Sequence, residues 1–192
     1  MNTFEYITAL MAVVIGLAIA DMATSLHRLL RNRRRVRWDW VAPLAALVIL
    51  TELFNYWWNW RGFAGTTLGA TAPYFAVLII LFLTACATLP DGVPESGIDL
   101  RRYFDDNRVY FWSLYACYLA GWIGQGSVRD LLHGASVSDV FADNYVDYGW
   151  IALYFAMIFV RPRWISGAVL ALSLFWVLYA FDWWNMSPSG PS

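Results

Sequence analysis

The sequence predicts an all-α protein, an antiparallel bundle of six transmembrane helices, and three observations support that prediction. The chain is 60% hydrophobic and only 14% charged, whereas about 25% of the residues of a soluble domain are charged. Apolar stretches of about twenty residues recur, long enough to cross a hydrocarbon layer of roughly 30 Å at about 1.5 Å per residue. Arginines collect at one end of these stretches and tryptophans at the other, which is typical of the two interfaces of a membrane.

The apolar stretches set the predicted elements in chain order. The predicted spans cover about residues 4–30, 39–60, 72–89, 109–128, 145–160 and 164–184. A basic segment separates the first two spans, a glycine- and threonine-rich turn separates the second from the third, and Pro90 ends the third. A tight Arg-Pro-Arg turn joins the last two. No connection is large enough to fold separately, so residues 1–186 form one domain, and the polar, proline-rich tail 187–192 is expected to be flexible.

Two connections are predicted to hold short helices that lie on the membrane surface. Before the fourth span, Ser96 and Asp99 resemble a capping box followed by an apolar stripe at helical spacing. Before the fifth span, Ser136 and Asp139 repeat this pattern. A short amphipathic helix of this kind lies in the plane of the interface.

The distribution of arginine predicts the orientation of the bundle. All thirteen basic residues are arginine, a coding bias that favours a bacterial source. Eleven of them fall at one end of the predicted bundle, and only Arg61 and Arg129 fall at the other. Basic connections stay in the cytoplasm. We therefore expect a bacterial inner-membrane protein with both termini outside.

The densest basic segment is expected to contact lipid. Its arginines at the cytoplasmic end of the first two spans are Arg31, Arg33, Arg34, Arg35 and Arg37. Such a cluster beside a span usually meets anionic headgroups, so we expect the lipid bilayer as its partner and no nucleic acid.

The second span carries a polar face within the membrane. Glu52, Asn55 and Asn59 are spaced at i, i+3 and i+7, so they share one side of the helix. A carboxyl group facing lipid would cost a few kcal/mol. We therefore predict that Glu52 faces the bundle interior and is hydrogen-bonded by Asn55 or by a polar group of the fourth or sixth span.

Polar and aromatic residues of other spans lie at a similar predicted depth and make Glu52 a candidate ligand- or ion-binding residue. The wider candidate set is Asn55, Asn59, Gln125, Asp147, Asp182, Trp57, Trp58, Trp183 and Trp184. Carboxylates among tryptophan faces could bind an organic cation. The alternative, favoured for the tryptophans, is an aromatic belt at the headgroups. If the short helix before the fifth span runs into it unbroken, Asp139, Asp143 and Asp147 form an acidic stripe.

Asp21 is the second intramembrane acid. Arg28 lies seven residues later on the same face, so a structural ion pair between the two is expected. A proton path from Asp21 to Glu52 is the weaker alternative, because their predicted heights differ by about 8 Å.

Nothing in the sequence indicates catalysis. The only histidines, His27 and His133, are predicted on opposite sides of the membrane, and no hydrolase, phosphate-loop or zinc-protease motif occurs. Cys86 and Cys117 lie inside apolar segments. We expect no metal, no cofactor and no catalytic residues.

Three function classes remain. The sequence favours a non-catalytic accessory or assembly subunit of a membrane complex, or a self-oligomer, with other membrane subunits or a second copy as partner. The alternative is a proton-coupled transporter or channel for a small organic cation, with Glu52 as the coupling acid. A membrane enzyme is the third class and is not favoured.

Overall fold

The computed structural model describes residues 3–59 and 68–180, with side chains for 7–59 and 69–179. The helices are α1 Thr3–Arg31, α2 Val41–Asn59, α3 Leu68–Cys86, α4 Leu100–Leu132, α5 Val137–Asp143, α6 Tyr145–Met157 and α7 Arg163–Ala180. A 3-10 turn at Arg33–Arg35 and two short strands, β1 Val36–Arg37 and β2 Ile98–Asp99, complete the elements of this part of the chain. The candidate residues Asp182, Trp183 and Trp184 and the tail 187–192 lie outside the described residues.

The described part of the chain is all-helical, and three of its helices are long and apolar enough to cross a membrane. They are the stretches Ile7–Arg31, Val41–Asn59 and Gly69–Cys86. The other predicted spans do not reach this standard, since α6 has 13 residues and α7 is described over 18. Helix α4 is long enough, at 33 residues, but it carries many more polar groups.

The helix predicted on the membrane surface before the fourth span does not exist as a separate element. It forms the first turns of the continuous helix α4, because no proline or glycine lies between Leu100 and Val109. The predicted capping box is also wrong. Gly97 has φ +85° and turns the chain, so the cap is Asp99, whose carboxylate accepts from the main-chain N–H of Arg101 at 2.9 Å.

The short helix before the fifth span is present as α5. Ser136 caps it by accepting a hydrogen bond from the main-chain N–H of Asp139 at 3.2 Å. The helix ends at Asp143, and α6 begins at Tyr145 after the single intervening residue Asn144. Asp139, Asp143 and Asp147 therefore do not form one helical stripe. The position of α5 at a membrane surface stays a prediction.

Helices α2 and α4 organise the bundle. Helix α2 packs against α1, α3, α4 and α7, and helix α4 packs against α2, α3, α5 and α6. The centre of this core is aromatic: Tyr56 of α2 and Phe111, Trp112 and Tyr115 of α4 are at most 1% exposed. On the polar face of α2, Glu52 and Asn55 are buried within the bundle, whereas Asn59 at the end of the helix is exposed.

Three connections meet at one end of the bundle, and arginines lie in them or beside them. We call it the arginine end (residues 32–40, 87–99 and 158–162). Strand β1 pairs in parallel with β2, with Val36 opposite Ile98. Arg108 donates to the main-chain carbonyl of Val160, joining α4 to the α6–α7 connection. These contacts confirm that the three connections share one side.

One arginine ties three elements together at this end. Arg163, at the start of α7, pairs with Asp39 before α2 and with Asp105 of α4, the latter at 3.8 Å. The Arg163 and Asp39 side chains are only 14% and 17% exposed. Arg31, Arg33, Arg34, Arg35 and Arg37 are exposed. Their contact with lipid headgroups stays a prediction.

Candidate functional site

Glu52 lies at the centre of the bundle and is hydrogen-bonded by helix α4. Glu52 is only 7% exposed to solvent. The hydroxyl of Tyr115 donates to Oε1 at 3.0 Å, and the hydroxyl of Tyr118 donates to Oε2 at 3.2 Å. Because Tyr115 and Tyr118 are three residues apart, they project from one face of α4. The prediction that Glu52 faces the interior and bonds to a polar group of a neighbouring helix is confirmed.

A row of hydroxyls continues from Glu52 across the bundle. The hydroxyl oxygens of Tyr115 and Tyr154 lie 3.2 Å apart, and their rings stack at a centroid distance of 4.4 Å. Tyr154 reaches Oγ of Ser173 at 2.7 Å, and Ser173 Oγ lies 2.8 Å from the main-chain carbonyl of Val169. The row thus connects α2, α4, α6 and α7. We call it the hydroxyl row (Tyr115, Tyr154 and Ser173).

A cavity of about 400 Å³ opens beside Glu52, and we call it the Glu52 cavity. Asn55 and Asn59 line it from α2, and Asp147 lines it from α6. Arg129 also lines it from α4, and its guanidinium pairs with the neighbouring Asp130 at 3.6 Å. The cavity therefore contains a buried carboxyl group at the level of Tyr118 and a second carboxyl group, that of Asp147, nearer the end of the bundle.

Aromatic rings form two walls of the Glu52 cavity. On one side Trp122 contacts Tyr56 at a centroid distance of 5.1 Å and Tyr74 at 6.5 Å. On the other side Trp150 contacts Trp176 at 6.1 Å. The rings come from α2, α3, α4, α6 and α7, so the walls exist only in the folded bundle.

The structure places only part of the predicted candidate set in this cavity. Glu52, Asn55, Asn59 and Asp147 line it together. Gln125 does not, because its Nε2 donates to the main-chain carbonyl of Pro73 at 2.9 Å. This hydrogen bond directs the Gln125 side chain toward α3, the helix that contains Pro73.

Two predicted aromatic candidates lie on the outside of the bundle. Trp57 and Trp58 are 44% and 56% exposed, with ring centroids 6.5 Å apart. They follow the polar face of α2 in sequence but are rotated away from it by the helical period. An outward position suits the aromatic-belt alternative. The ligand-binding role of the whole set stays a prediction.

Sequence reasoning missed Tyr115 and Tyr118, the two residues that hydrogen-bond Glu52. With Trp122 they repeat on α4 the i, i+3, i+7 spacing of the polar face on α2. That spacing was a usable signal for α4. Tyr154 and Ser173 gave none, because single hydroxyls in apolar helices are common and only the packing brings these two together.

Asp21 lies outside the Glu52 cavity, near the arginine end. The expected ion pair with Arg28 is wrong: the Arg28 guanidinium donates to the main-chain carbonyl of Asp91. An arginine at a helix end extends toward the polar end of the bundle rather than back along the helix. Asp21 is instead beside Cys86 and Tyr103. Burial, with a smaller contribution from the nearby Asp91 charge, raises the pKa of Tyr103 to about 12.

The described residues contain no cluster of three or more His, Cys, Asp or Glu side chains placed to hold a metal ion. Cys86 and Cys117 are both free. Comparison with family models, curated proteins and solved structures found no match. Any function must therefore be argued from the chemistry of the Glu52 cavity.

Proposed function

We propose that this protein is an integral membrane protein that binds a small organic cation in the Glu52 cavity. The observation that supports the proposal is the position of a buried carboxyl group beside a cavity of about 400 Å³ with aromatic walls. Aromatic faces attract ammonium-type cations, and the attraction reaches about 2 kcal/mol when the cation is desolvated. A carboxylate supplies the counter-charge.

The hydrogen bonds from Tyr115 and Tyr118 alone do not fully stabilise an ionised Glu52 carboxylate, and a bound cation would stabilise it further. Removing an ionised carboxylate from water costs several kcal/mol even after the protein relaxes. The neutral hydroxyls of Tyr115 and Tyr118 offset part of this cost. A bound cation would offset more of it through the direct charge interaction, which is strong at low dielectric. Cation binding and ionisation of Glu52 therefore support each other.

The rim of the cavity favours a cation as well. Asp147 lines the cavity. A partly buried carboxylate without a partner is unfavourable in free energy, and a bound cation would reduce that unfavourable term. The positive charge of Arg129 is directed to Asp130, which reduces its repulsion of an incoming cation.

The proposal is for binding rather than free conduction. On the other side of Glu52, toward the arginine end, the bundle is filled by Phe104, Phe111 and Trp112, which are at most 2% exposed. A cation that crossed the protein would require this aromatic layer to move. Transport across the protein would therefore require a conformational change in addition to cation binding.

We place this site in a six-span bundle of a bacterial inner membrane, with both termini and the Glu52 cavity outside. The three long apolar helices and the gathering of most arginines at one end of the bundle support this topology. Reporter tags at each terminus test it: both should be reached by externally added protease, and protection of either tag would contradict it.

The direct test is cation binding to purified protein in detergent, measured by calorimetry with tetraethylammonium. Glu52→Gln should weaken binding at least tenfold, which corresponds to about 1.4 kcal/mol. Asp21→Asn is the matched control, because Asp21 is also an acid within a predicted span but does not line the cavity. It should bind as the wild type does.

The uncharged carbon isostere tetraethylmethane completes the experiment. It fills the same volume without charge, so it should bind far more weakly than tetraethylammonium. Equal binding of the two ligands, or unchanged affinity in Glu52→Gln, would show that the cavity does not recognise positive charge and would refute the proposal.

The accessory-subunit proposal is the second candidate. It is favoured by helix α1, whose exposed residues Leu10, Val13 and Leu17 lie along one face. Lipid tails would cover this face equally well, so it supports the second candidate less strongly than the Glu52 cavity supports the first. Under the second candidate, Glu52→Gln would leave the protein's association with its partner subunits intact.

A further inference from the structure

The hydrogen bonds of the hydroxyl row can all point toward Glu52 or all point away from it. Each hydroxyl carries one hydrogen and can accept others. Four oxygen–oxygen contacts follow one another: Glu52 with Tyr115, Tyr115 with Tyr154, Tyr154 with Ser173, and Ser173 with the carbonyl of Val169. The number of hydrogens available for these four contacts depends on whether Glu52 is ionised.

When Glu52 is ionised, the row contains three hydrogens, those of Tyr115, Tyr154 and Ser173. They fill the first three contacts if every hydroxyl points toward Glu52, and the carbonyl of Val169 then receives none from Ser173. When Glu52 is protonated, its own hydrogen is the fourth. All four contacts are filled if every hydrogen points away from Glu52 and the last one lies on the carbonyl of Val169.

We propose that Glu52 binds its cation in exchange for a proton, and that the hydroxyl row reverses direction with each exchange. This inference rests on the proposed function. A nearby positive charge favours the ionised form of a carboxyl group. One proton therefore leaves the Glu52 carboxyl for water in the cavity as the cation binds. The hydrogens of the row only rotate about their C–O bonds, and none of them leaves the protein.

The reversal carries the state of Glu52 to helix α7. Ser173 Oγ is bonded to its own helix through Val169 only when Glu52 is protonated. When Glu52 is ionised, Ser173 donates to Tyr154 of α6 instead. The exchange thus changes which helix receives the Ser173 hydrogen bond, about one helical turn from the cavity residues Trp176 and Val177.

The other ionisable groups around Glu52 do not offer an equivalent path. Tyr118 donates to Glu52 from α4 but makes no hydrogen bond to Tyr154 or Ser173 among the described residues. Tyr56 of α2 donates to the main-chain carbonyl of Tyr74 at 2.6 Å. Asp147 and Arg129 line the cavity from α6 and α4. Among the described residues, α1 and α7 contribute no ionisable side chain to the cavity lining.

The exchange itself is tested by measuring proton release when tetraethylammonium is added to weakly buffered protein in detergent. At the pH at which release is greatest, the wild type should release close to one proton for each cation bound. Asp21→Asn should behave in the same way. Cation binding with no proton release at any pH would overturn the exchange while leaving the proposed function in place.

The reversal is tested without any ligand. The chain has three Val–Leu peptide bonds, at 77–78, 169–170 and 177–178. Protein labelled with carbonyl ¹³C-valine and ¹⁵N-leucine therefore gives three selected carbonyl signals in solid-state NMR, and Ser173→Ala identifies the one from Val169. Acidification should shift this signal, because its carbonyl gains the Ser173 hydrogen, and the other two signals should stay in place.

Two tyrosine variants separate the row from the rest of the site. Tyr154→Phe removes the middle oxygen, so the shift of the Val169 signal on acidification should be lost. Tyr118→Phe removes a bond to Glu52 that lies outside the row, so the shift should remain. Unmoved signals from 77–78 and 177–178 confirm that each variant is folded. A Val169 signal that does not respond to pH in the wild type, or that still responds in Tyr154→Phe, would overturn the reversal.

Discussion

The two ends of the bundle differ in what their polar side chains contact. At the arginine end, charged groups bond to each other and to free main-chain carbonyls: Arg163 to Asp39 and Asp105, and Arg108 to Val160. At the other end, Asn55, Asn59 and Asp147 line a cavity of about 400 Å³. At the arginine end, polar side chains hold the helices and their connections together. At the other end, polar side chains line a cavity.

The difference shows which polar residues can serve function. A charge already paired with its own chain has little to offer a ligand, since binding would first require the existing pair to break. A buried carboxyl group held by neutral hydroxyls beside an aromatic cavity can still gain a cation. We therefore expect the arginine end to contribute mainly to stability and the Glu52 cavity to ligand binding. Substitutions at each end test this expectation.

The largest effect is expected from Arg163→Ala at the arginine end. The substitution leaves Asp39 and Asp105 without their partner in a site where Arg163 and Asp39 are less than 20% exposed. Removing one partner of a buried pair costs about 3 kcal/mol or more. The free energy of unfolding in mixed detergent micelles should fall by about this amount, while tetraethylammonium affinity of the folded protein should not change.

Arg102→Ala is the matched control for this measurement. Arg102 pairs with Asp106 at 3.6 Å, but the two side chains are 84% and 69% exposed. An exposed pair of this kind contributes about 0.5 kcal/mol or less. If Arg163→Ala and Arg102→Ala destabilise the protein equally, the arginine end is not held by buried pairs.

A smaller effect is expected from Gly97→Ala, which tests the β1–β2 junction. Gly97 has φ +85°, and an added Cβ would lie 2.6 Å from the main-chain oxygen of Arg35. Gly134 has φ +94° but nothing within 4 Å of the Cβ position. Gly134→Ala should therefore show only the cost of the left-handed conformation, about 1 kcal/mol.

Gly97→Ala should lose about 1–2 kcal/mol more than Gly134→Ala, because the main chain of 35 and 97 must move apart. Unfolding in mixed micelles again provides the measurement. Equal losses in the two variants would mean that the contact between the basic connection and the α3–α4 connection is easily displaced.

The smallest effect is expected at the cavity end, from Trp122→Leu. Trp122 contributes an aromatic face to the Glu52 cavity beside Tyr56. Its loss should weaken tetraethylammonium binding about fivefold, which corresponds to about 1 kcal/mol of cation–π attraction. Trp58→Leu is the control, because Trp58 is 56% exposed on the outside of the bundle. Equal weakening by both substitutions would contradict the aromatic-wall interpretation.

The sequence determined the all-helical class, the three helices apolar enough to cross a membrane, most helix positions and the polar face of α2. The length and composition of an apolar run can be read directly from the sequence, and Glu52, Asn55 and Asn59 share a side of α2 because the helical period is local. The burial of Glu52 followed too, since a carboxyl group facing lipid is costly. The error at Leu100 was also local: the apolar stripe after it was assigned to a separate surface helix, yet no residue between Leu100 and Val109 stops a helix.

Only the tertiary structure decided what Glu52 meets. Tyr115 is 63 residues away in sequence, and Tyr154 lies a further 39 residues along. The rotation of each helix about its own axis turned Gln125 toward α3, put Trp57 and Trp58 outside and brought Ser173 to Tyr154. These rotations result from how the side chains of several helices pack against one another. The pattern of a single helix can mark a face, as on α4, but it does not determine which helix that face meets.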